Sequence, residues 1–421
     1  MVYALRKEDD ELTRRLTKVE FMYKDQHLEP SATLASSGVA GEPPLLAIFR
    51  KRCLECARQQ DAAYGLSSVE RHVHLSIPEG TTEVARKAFS GCSSIQILTV
   101  PDSVTYIAEG AFSRCRSMTS LTLGSLVSRI DDRAFAFCTS LISLTIPESV
   151  GSIADEAFKE CKSLKNLTIP DSITSIGVGS FSDCSSLASL SLPRYVVTIG
   201  KRAFIGCSSL KALTIPNSAR SIGDEAFGGC GSLTSLALED SVNTIRLATF
   251  GACSSLAFLS IPTSVRTIEA KAFGGCSSLA SLTLPDSVTS IAERAFGGCS
   301  SLSELVIPSS VTSIGDMAFS GCSTLSRLTI PCSVTSIGSD AFRGCRSLKS
   351  LTIPESVSSI GDYAFYGCTS LGELTIASSV AKLGTGAFAY CTALTSLSVP
   401  ESCSLELFFS DRPKACELIR L

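Results

Sequence analysis

The chain has 421 residues, two or three times the usual single-domain length. Apolar residues make up 44% and charged residues 18%, which excludes a disordered chain and supplies enough side chain for a large core. A net charge of -3 gives no basic footprint, so nucleic acid is not an expected partner.

The N-terminus, Met1-Val-Tyr-Ala-Leu-Arg-Lys-Glu-Asp-Asp-Glu, lacks the uninterrupted apolar run of a secretory signal. The uncharged stretch Leu247 to Val265 carries six Ser/Thr, Pro262 and Gly251, and it reads as soluble, not as a transmembrane helix. The default expectation is therefore a cytoplasmic protein whose cysteines are thiols.

Residues 1–28 read as a charged N-terminal helix, with Leu5, Leu12, Leu16 and Val19 on one face of Lys7–Tyr23. Glu29–Pro44 is a flexible Ser/Ala/Gly/Pro linker over residues 29–44. Residues 45–65 again have helical spacing, with Leu45, Ile48, Phe49, Cys53, Cys56 and Gln60 near one stripe. That helix is expected to cover the open end of the periodic region that begins at residue 66.

From residue 66 to 400 the chain is periodic. Phe89, Phe112, Phe135 and eleven further phenylalanines up to Phe388 stand 23 residues apart, and a cysteine follows each by three, from Cys92 to Cys391. Fourteen of the nineteen cysteines thus belong to one column. A period of about 20–29 residues is that of leucine-rich repeats, so one solenoid replaces the several globules that length alone suggests. In Leu279-Ala-Ser-Leu282-Thr-Leu284-Pro285 the apolar residues alternate as in a short strand, and Pro285 removes the next ladder donor. Val288, Ile291, Ala295-Phe296 and Cys299 fit a returning wall with a short helical or 3₁₀ turn at Ala-Phe-x-x-Cys. Gly follows the Ile in some turns, but Asp131, Arg246 and Glu269 share that column, so a compulsory positive φ is not expected there.

The run Ile330-Pro-Cys-Ser-Val-Thr-Ser-Ile-Gly-Ser-Asp-Ala-Phe-Arg-Gly-Cys345 resembles the BspA-like, or Treponema-type, leucine-rich repeat. The resemblance covers residues 66 to 400 and implies an α/β repeat solenoid of about fifteen turns that binds proteins. It also implies kinship with bacterial and protist cell-surface proteins that bind host or matrix proteins, and it brings no catalytic residues. The ends depart from the pattern: residues 66–88 are a degenerate first turn with His72 in place of the first Leu, and residues 401–421 form a C-terminal cap.

The cysteine column reads as small apolar filler, since rungs about 4.8 Å apart with parallel side chains do not bridge easily; oxidised or metal-bound ladders are the alternatives. Cys53 and Cys56 with His72 and His74 have the count of a zinc site but not the spacing of a standard finger; plain capping is the other reading. No His occurs in residues 75–421, which removes the commonest general base, and no cofactor is implied. Acids such as Asp131-Asp132 and Asp155-Glu156 read as a solvated rim. The exposed strand face is mostly Ser, Thr and Ala, and its exceptions are the candidate partner contacts: Lys165, Lys211, Phe258, Glu304, Arg327, Lys349 and Glu373. The expected function is non-enzymatic protein binding as an intracellular scaffold. A BspA-like surface antigen is the alternative, and an enzyme carried by the N-terminal module the third reading.

Overall fold

Leu282 and Phe296 are both apolar, yet they build walls of opposite kinds, and that contrast defines the coil. A computed structural model of the chain describes residues 72–77 and 79–399, with further strands at Ala4–Leu5, Leu16–Glu20, Met22–Tyr23, Gln26–His27 and Glu417–Arg420. The chain divides into two units, Met1–Leu210 and Lys211–Leu421, and the same 23-residue coil recurs in each.

One wall is a parallel ladder. In Ser281–Thr283 the outer residues are exposed and Leu282 is buried, the alternation that a pleated strand imposes on Ser-Leu-Thr. Neighbours pair in exact repeat register: Ser143↔Asn166 and Leu144↔Leu167 in the first unit, Phe258↔Ser281 and Glu304↔Arg327 in the second. Nine residues on, a two-residue strand such as Ser290–Ile291 makes a second parallel ladder. In the second unit it runs unbroken through seven strands, from Thr244–Ile245 to Lys382–Leu383. Between the ladders the repeated Ser of Pro-x-Ser-Val turns inward: Ser287 Oγ donates to the Val265 carbonyl (2.6 Å) and Ser310 Oγ to that of Val288 (2.6 Å). A residue that reads as turn filler thus satisfies a backbone acceptor of the neighbouring coil.

The third wall is neither strand nor helix. Ala295 N–H donates to Ala292 O, Gly297 to Arg294 O and Cys299 to Phe296 O, all closing four-residue turns. The amides between them, on Arg294, Phe296 and Gly298, donate instead to Asp316, Ala318 and Ser320 of the next coil. Two residues per coil make this alternation possible by adopting left-handed φ. Arg294 (54°) and Gly298 (80°) do so here, and every non-Gly residue of positive φ falls in one of these two columns. A positive φ at the third position of a turn is the type II signature, and it reverses the chain before a helix can propagate. Among the described residues there is no helix, so the α/β expectation and the 3₁₀ segment are corrected to turns that share their amides with the neighbouring coil.

The glycines after the Ile column serve another purpose. Gly315 and Gly361 do not have left-handed φ; a Cβ on Gly315 would lie 2.8 Å from the Ala292 carbonyl carbon, and one on Gly361 2.4 Å from the Ser339 nitrogen. Glycine there permits close approach of successive coils.

The core lies between the walls. Its largest members are the phenylalanines, buried and stacked at centroid distances of 5.1 Å for Phe89–Phe112 to 5.7 Å for Phe227–Phe250. Such ring pairs add about 0.5–1.5 kcal/mol each beyond the area they bury.

The N-terminal expectation is corrected as well. Where a helix is expected over Lys7–Tyr23, Leu16–Glu20 is a strand that pairs in parallel with the first coil, Leu16↔His72 and Lys18↔His74. The edge of His72–Ser76 offers a row of backbone donors and acceptors, and Leu-Thr-Lys-Val-Glu, with two β-branched residues, meets them better as a strand. The capping helix at residues 45–65 and the linker at 29–44 lie outside the described residues. At the other end Glu417–Arg420 pairs with Ser396–Val399, so a strand extends that ladder too.

Candidate binding surface

The outward strand column is nearly uniform. Ser143, Ser281, Ser350 and their like occupy it, and the next outward column is the row of threonines. A large side chain there has no neighbour of its own size, and Phe258 is 70% exposed as a result. Glu304 and Arg327 occupy the same column on adjacent coils and pair at 3.1 Å, both well exposed. Glu373 lies further along this column, paired in register with Ser350.

The seven expected contacts therefore do not form one group. Phe258, Glu304, Arg327 and Glu373 share the strand column of the second unit. Lys165, Lys211 and Lys349 fall one residue earlier, at the start of the strand, where the amide of Lys165 donates to the Ile142 carbonyl (2.8 Å). All three lysines are exposed, but Lys165 belongs to the first unit and the other two to the second. A surface residue absent from the sequence-based set is Val306, 71% exposed in the threonine row, two positions after Glu304. The signal was present, since Val306 is a large apolar residue where the pattern asks for a hydroxyl.

The cysteine column is buried throughout, and its thiols do more than fill space. Cys115 Sγ donates to the Phe89 carbonyl (3.3 Å), Cys138 to that of Phe112 (3.3 Å), and Cys276 to that of Phe250 (3.4 Å), each bond reaching 26 residues back. Burial pushes the thiols up, to about 12 for Cys276, Cys322 and Cys391, because a thiolate has no solvation there. Cys332 is the exposed exception among the described cysteines.

Of the expected zinc set, His74 Nε2 lies 3.1 Å from Thr99 Oγ1 in a hydrogen bond, His72 is placed as strand backbone, and Cys53 and Cys56 lie outside the described residues. Among the described residues no three metal-ligating side chains converge. The acids expected to be a solvated rim are exposed at Asp132 and Asp155 and also tie coils together: Asp132 accepts from the Asp155 amide (3.1 Å) and Asp155 from the Val178 amide (2.7 Å). Although burial opposes it, hydrogen bonds from Lys159 and Arg133 hold the Glu156 carboxyl below its usual range. Asp131 accepts from the Tyr106 hydroxyl (2.7 Å) and pairs with Arg129 (3.1 Å).

Parallel ladders of one 23-residue coil, with leucines inward and a repeated turn wall behind, define a leucine-rich repeat solenoid of about fourteen turns. The profile of the BspA type leucine rich repeat region matches six copies, over residues 64–188, 174–303 and 289–406, and the chain belongs to that family. Among solved structures it is similar to a leucine-rich repeat protein from Bacteroides ovatus, with 26% identity over 85% of this chain and 94% of that one and a TM-score of 0.62. A leucine rich cell surface protein from Faecalibacterium prausnitzii is 29% identical over 84% and 81%, with a TM-score of 0.43. The pneumococcal vaccine antigen PcpA shares the fold at 20% identity over 100% and 96%, with a TM-score of 0.53. No curated relative matches the chain. Among the described residues no helix is long and apolar enough to cross a membrane.

Proposed function

We propose that this protein is a non-enzymatic binding scaffold that recognises a protein ligand on the outward strand face of its second unit. The observation that carries the reading is Phe258, a largely exposed aromatic ring in a column made mostly of small hydroxyls. Exposing a ring of that size costs solvation that a bound partner recovers, and aromatics dominate binding energy where they anchor in a partner's pocket. Val306, two coils away on the same face, adds a second apolar contact, and the Glu304–Arg327 pair lies beside it as polar rim. The family match and the absence of His from residues 75–421 support a role without catalysis, and the low charge supports a protein ligand over a nucleic acid.

The test is affinity capture with the full chain, followed by binding measurements on Phe258→Ala and Val306→Ser. Each substitution is expected to weaken a captured partner by about tenfold, the loss of a modest hot spot. Unchanged affinity in both removes the strand face from consideration. The second reading is a cell-surface antigen or adhesin whose partner is a host or matrix protein, which the family membership favours. Labelling of intact cells with an impermeant reagent separates it from an intracellular scaffold.

A further inference from the structure

One coil of the first unit lacks its strand. From Ile95–Thr99 to Ser396–Val399 every coil adds a strand to the outward wall except the one at residues 189–192. Breaks between strands occur elsewhere on that wall, but each of the other strands keeps at least one partner. Residues 189–192 have none, and Asn166–Thr168 pairs only with Ser143–Thr145. Two further departures fall in the same coil. Tyr195 stands in the column whose serine donates to the neighbouring carbonyl, as Ser172 Oγ does to Val150 (2.8 Å), so the Ile173 carbonyl receives no hydroxyl. Ser180 stands in the inward column that holds Ala157 and Ala203 in the flanking coils; it is fully buried and its Oγ has no partner. A buried hydroxyl without a partner destabilises the closed coil, and water satisfies it when the coil opens.

Elsewhere the contact between this coil and the preceding one, residues 166–184 against 189–207, is closed. On the turn wall the amides of Gly179, Phe181 and Asp183 donate across it to the carbonyls of Lys201 (2.9 Å), Ala203 (2.8 Å) and Ile205 (2.7 Å), and Phe181 stacks on Phe204 at 5.3 Å. The second ladder crosses it through Ser175↔Thr198, and the Val197 amide donates to the Thr174 carbonyl (2.8 Å). Between that ladder and the open wall stands Asp171. Its Oδ1 accepts from the Arg194 amide (2.7 Å), and its Oδ2 lies 3.3 Å from the Arg194 guanidinium. Where Leu126 replaces the column's serine, Asp102 likewise accepts from the Ser125 amide, but there Ile95–Thr99 and Ser120–Thr122 also pair. At Arg194 the carboxylate holds the edge with no strand pairing behind it.

We infer that this contact is a hinge within the first unit, which opens from the strand wall, pivots on the turn wall, and is held shut by the Asp171–Arg194 contact. Coils joined on every wall move together; coils joined only from behind part in front, so the strand face of the first unit can widen here without loss of register. The hinge involves neither Phe258 nor Val306 and stands apart from the strand-face reading. Hydrogen exchange resolved to single amides on the full chain tests it, because exchange of a bonded amide follows the population of the open form. The Val197 amide is expected to exchange about tenfold or more faster than that of Thr174, its equivalent one coil earlier, which donates to the Gly151 carbonyl (3.1 Å) beside a paired strand. Asp171→Ala is expected to accelerate Val197 about tenfold further while the Phe181 amide keeps its rate, and Ser180→Ala to slow Val197 about threefold or more. The inference is overturned if Val197 is as well protected as Thr174, if either substitution leaves Val197 unchanged, or if the Phe181 amide accelerates along with it, which would mean that the whole coil unfolds.

Discussion

The strand wall and the turn wall of each coil are under opposite constraints. On the strand wall the backbone is ordinary and the outward side chains are small; the structure asks there only for alternation. On the turn wall the backbone is extraordinary, with two left-handed residues per coil, while the inward Ala, Phe and Cys scarcely vary. The difference teaches that the register of this solenoid is held from behind. Phenylalanine stacking, thiol-to-carbonyl bonds and crossed amides all lie on the turn wall, which leaves the strand face free to change.

That contrast is broken most severely by base. Burial pushes the Cys276, Cys322 and Cys391 thiols up to about 12 in the folded chain, whereas an unfolded cysteine titrates near pH 8.5. Between those values the unfolded state has lost protons that the folded state keeps, so stability is full below about pH 8.5 and falls as pH rises toward 12. Each of these three thiols removes about 1.4 kcal/mol per pH unit in that window. A melting temperature that stays level from pH 8 to pH 11 would contradict the assignment of the thiols to the dry interior.

Next in size is Phe296→Ala, which opens a gap in a continuous ring stack and is expected to cost about 3–5 kcal/mol by urea denaturation. Coils couple only to their neighbours, so the loss is expected to remain local, with amide exchange accelerated most in the coils of Phe273 and Phe319. Uniform acceleration along the second unit would show that the wall acts as one cooperative block instead. The smallest effect belongs to the strand face: Arg327→Ala removes an exposed ion pair worth about 0.2–1 kcal/mol, and the melting temperature should barely move. A drop as large as that of Phe296→Ala would erase the distinction between the walls.

The buried columns were legible because each of their members lies between near copies of itself. A Leu at 282 or a Phe at 296 is held on both sides by the same residue type, and such a column tolerates almost nothing else. The left-handed columns were hidden because one of them accepts Lys87, Arg133, Met317 and Tyr363 alike. The crossed amides fix φ there, and the side chain has only to bear the cost, so residue identity carries little of the message. The glycine surplus at the other column is the trace that sequence retains. At the N-terminus an amphipathic pattern at Leu12, Leu16 and Val19 pointed to a helix, but the open edge of His72–Ser76 supplies a competing partner that no local pattern records. Alternation correctly placed Phe258, Glu304 and Arg327 outward, while the one-residue offset of the lysines is a matter of where the strand begins.

The cysteine-to-phenylalanine bond has a further consequence for how such a molecule ages. Because each thiol is bound 26 residues back, a coil cannot open without releasing its sulfur, and a released sulfur is free to ionise and meet an oxidant. Once it carries oxygen atoms it is too large and too polar to return to its slot. Opening, otherwise reversible, becomes a ratchet in an oxidising medium, and oxidation within the buried column, as distinct from that of the exposed Cys332, records coils that have been open.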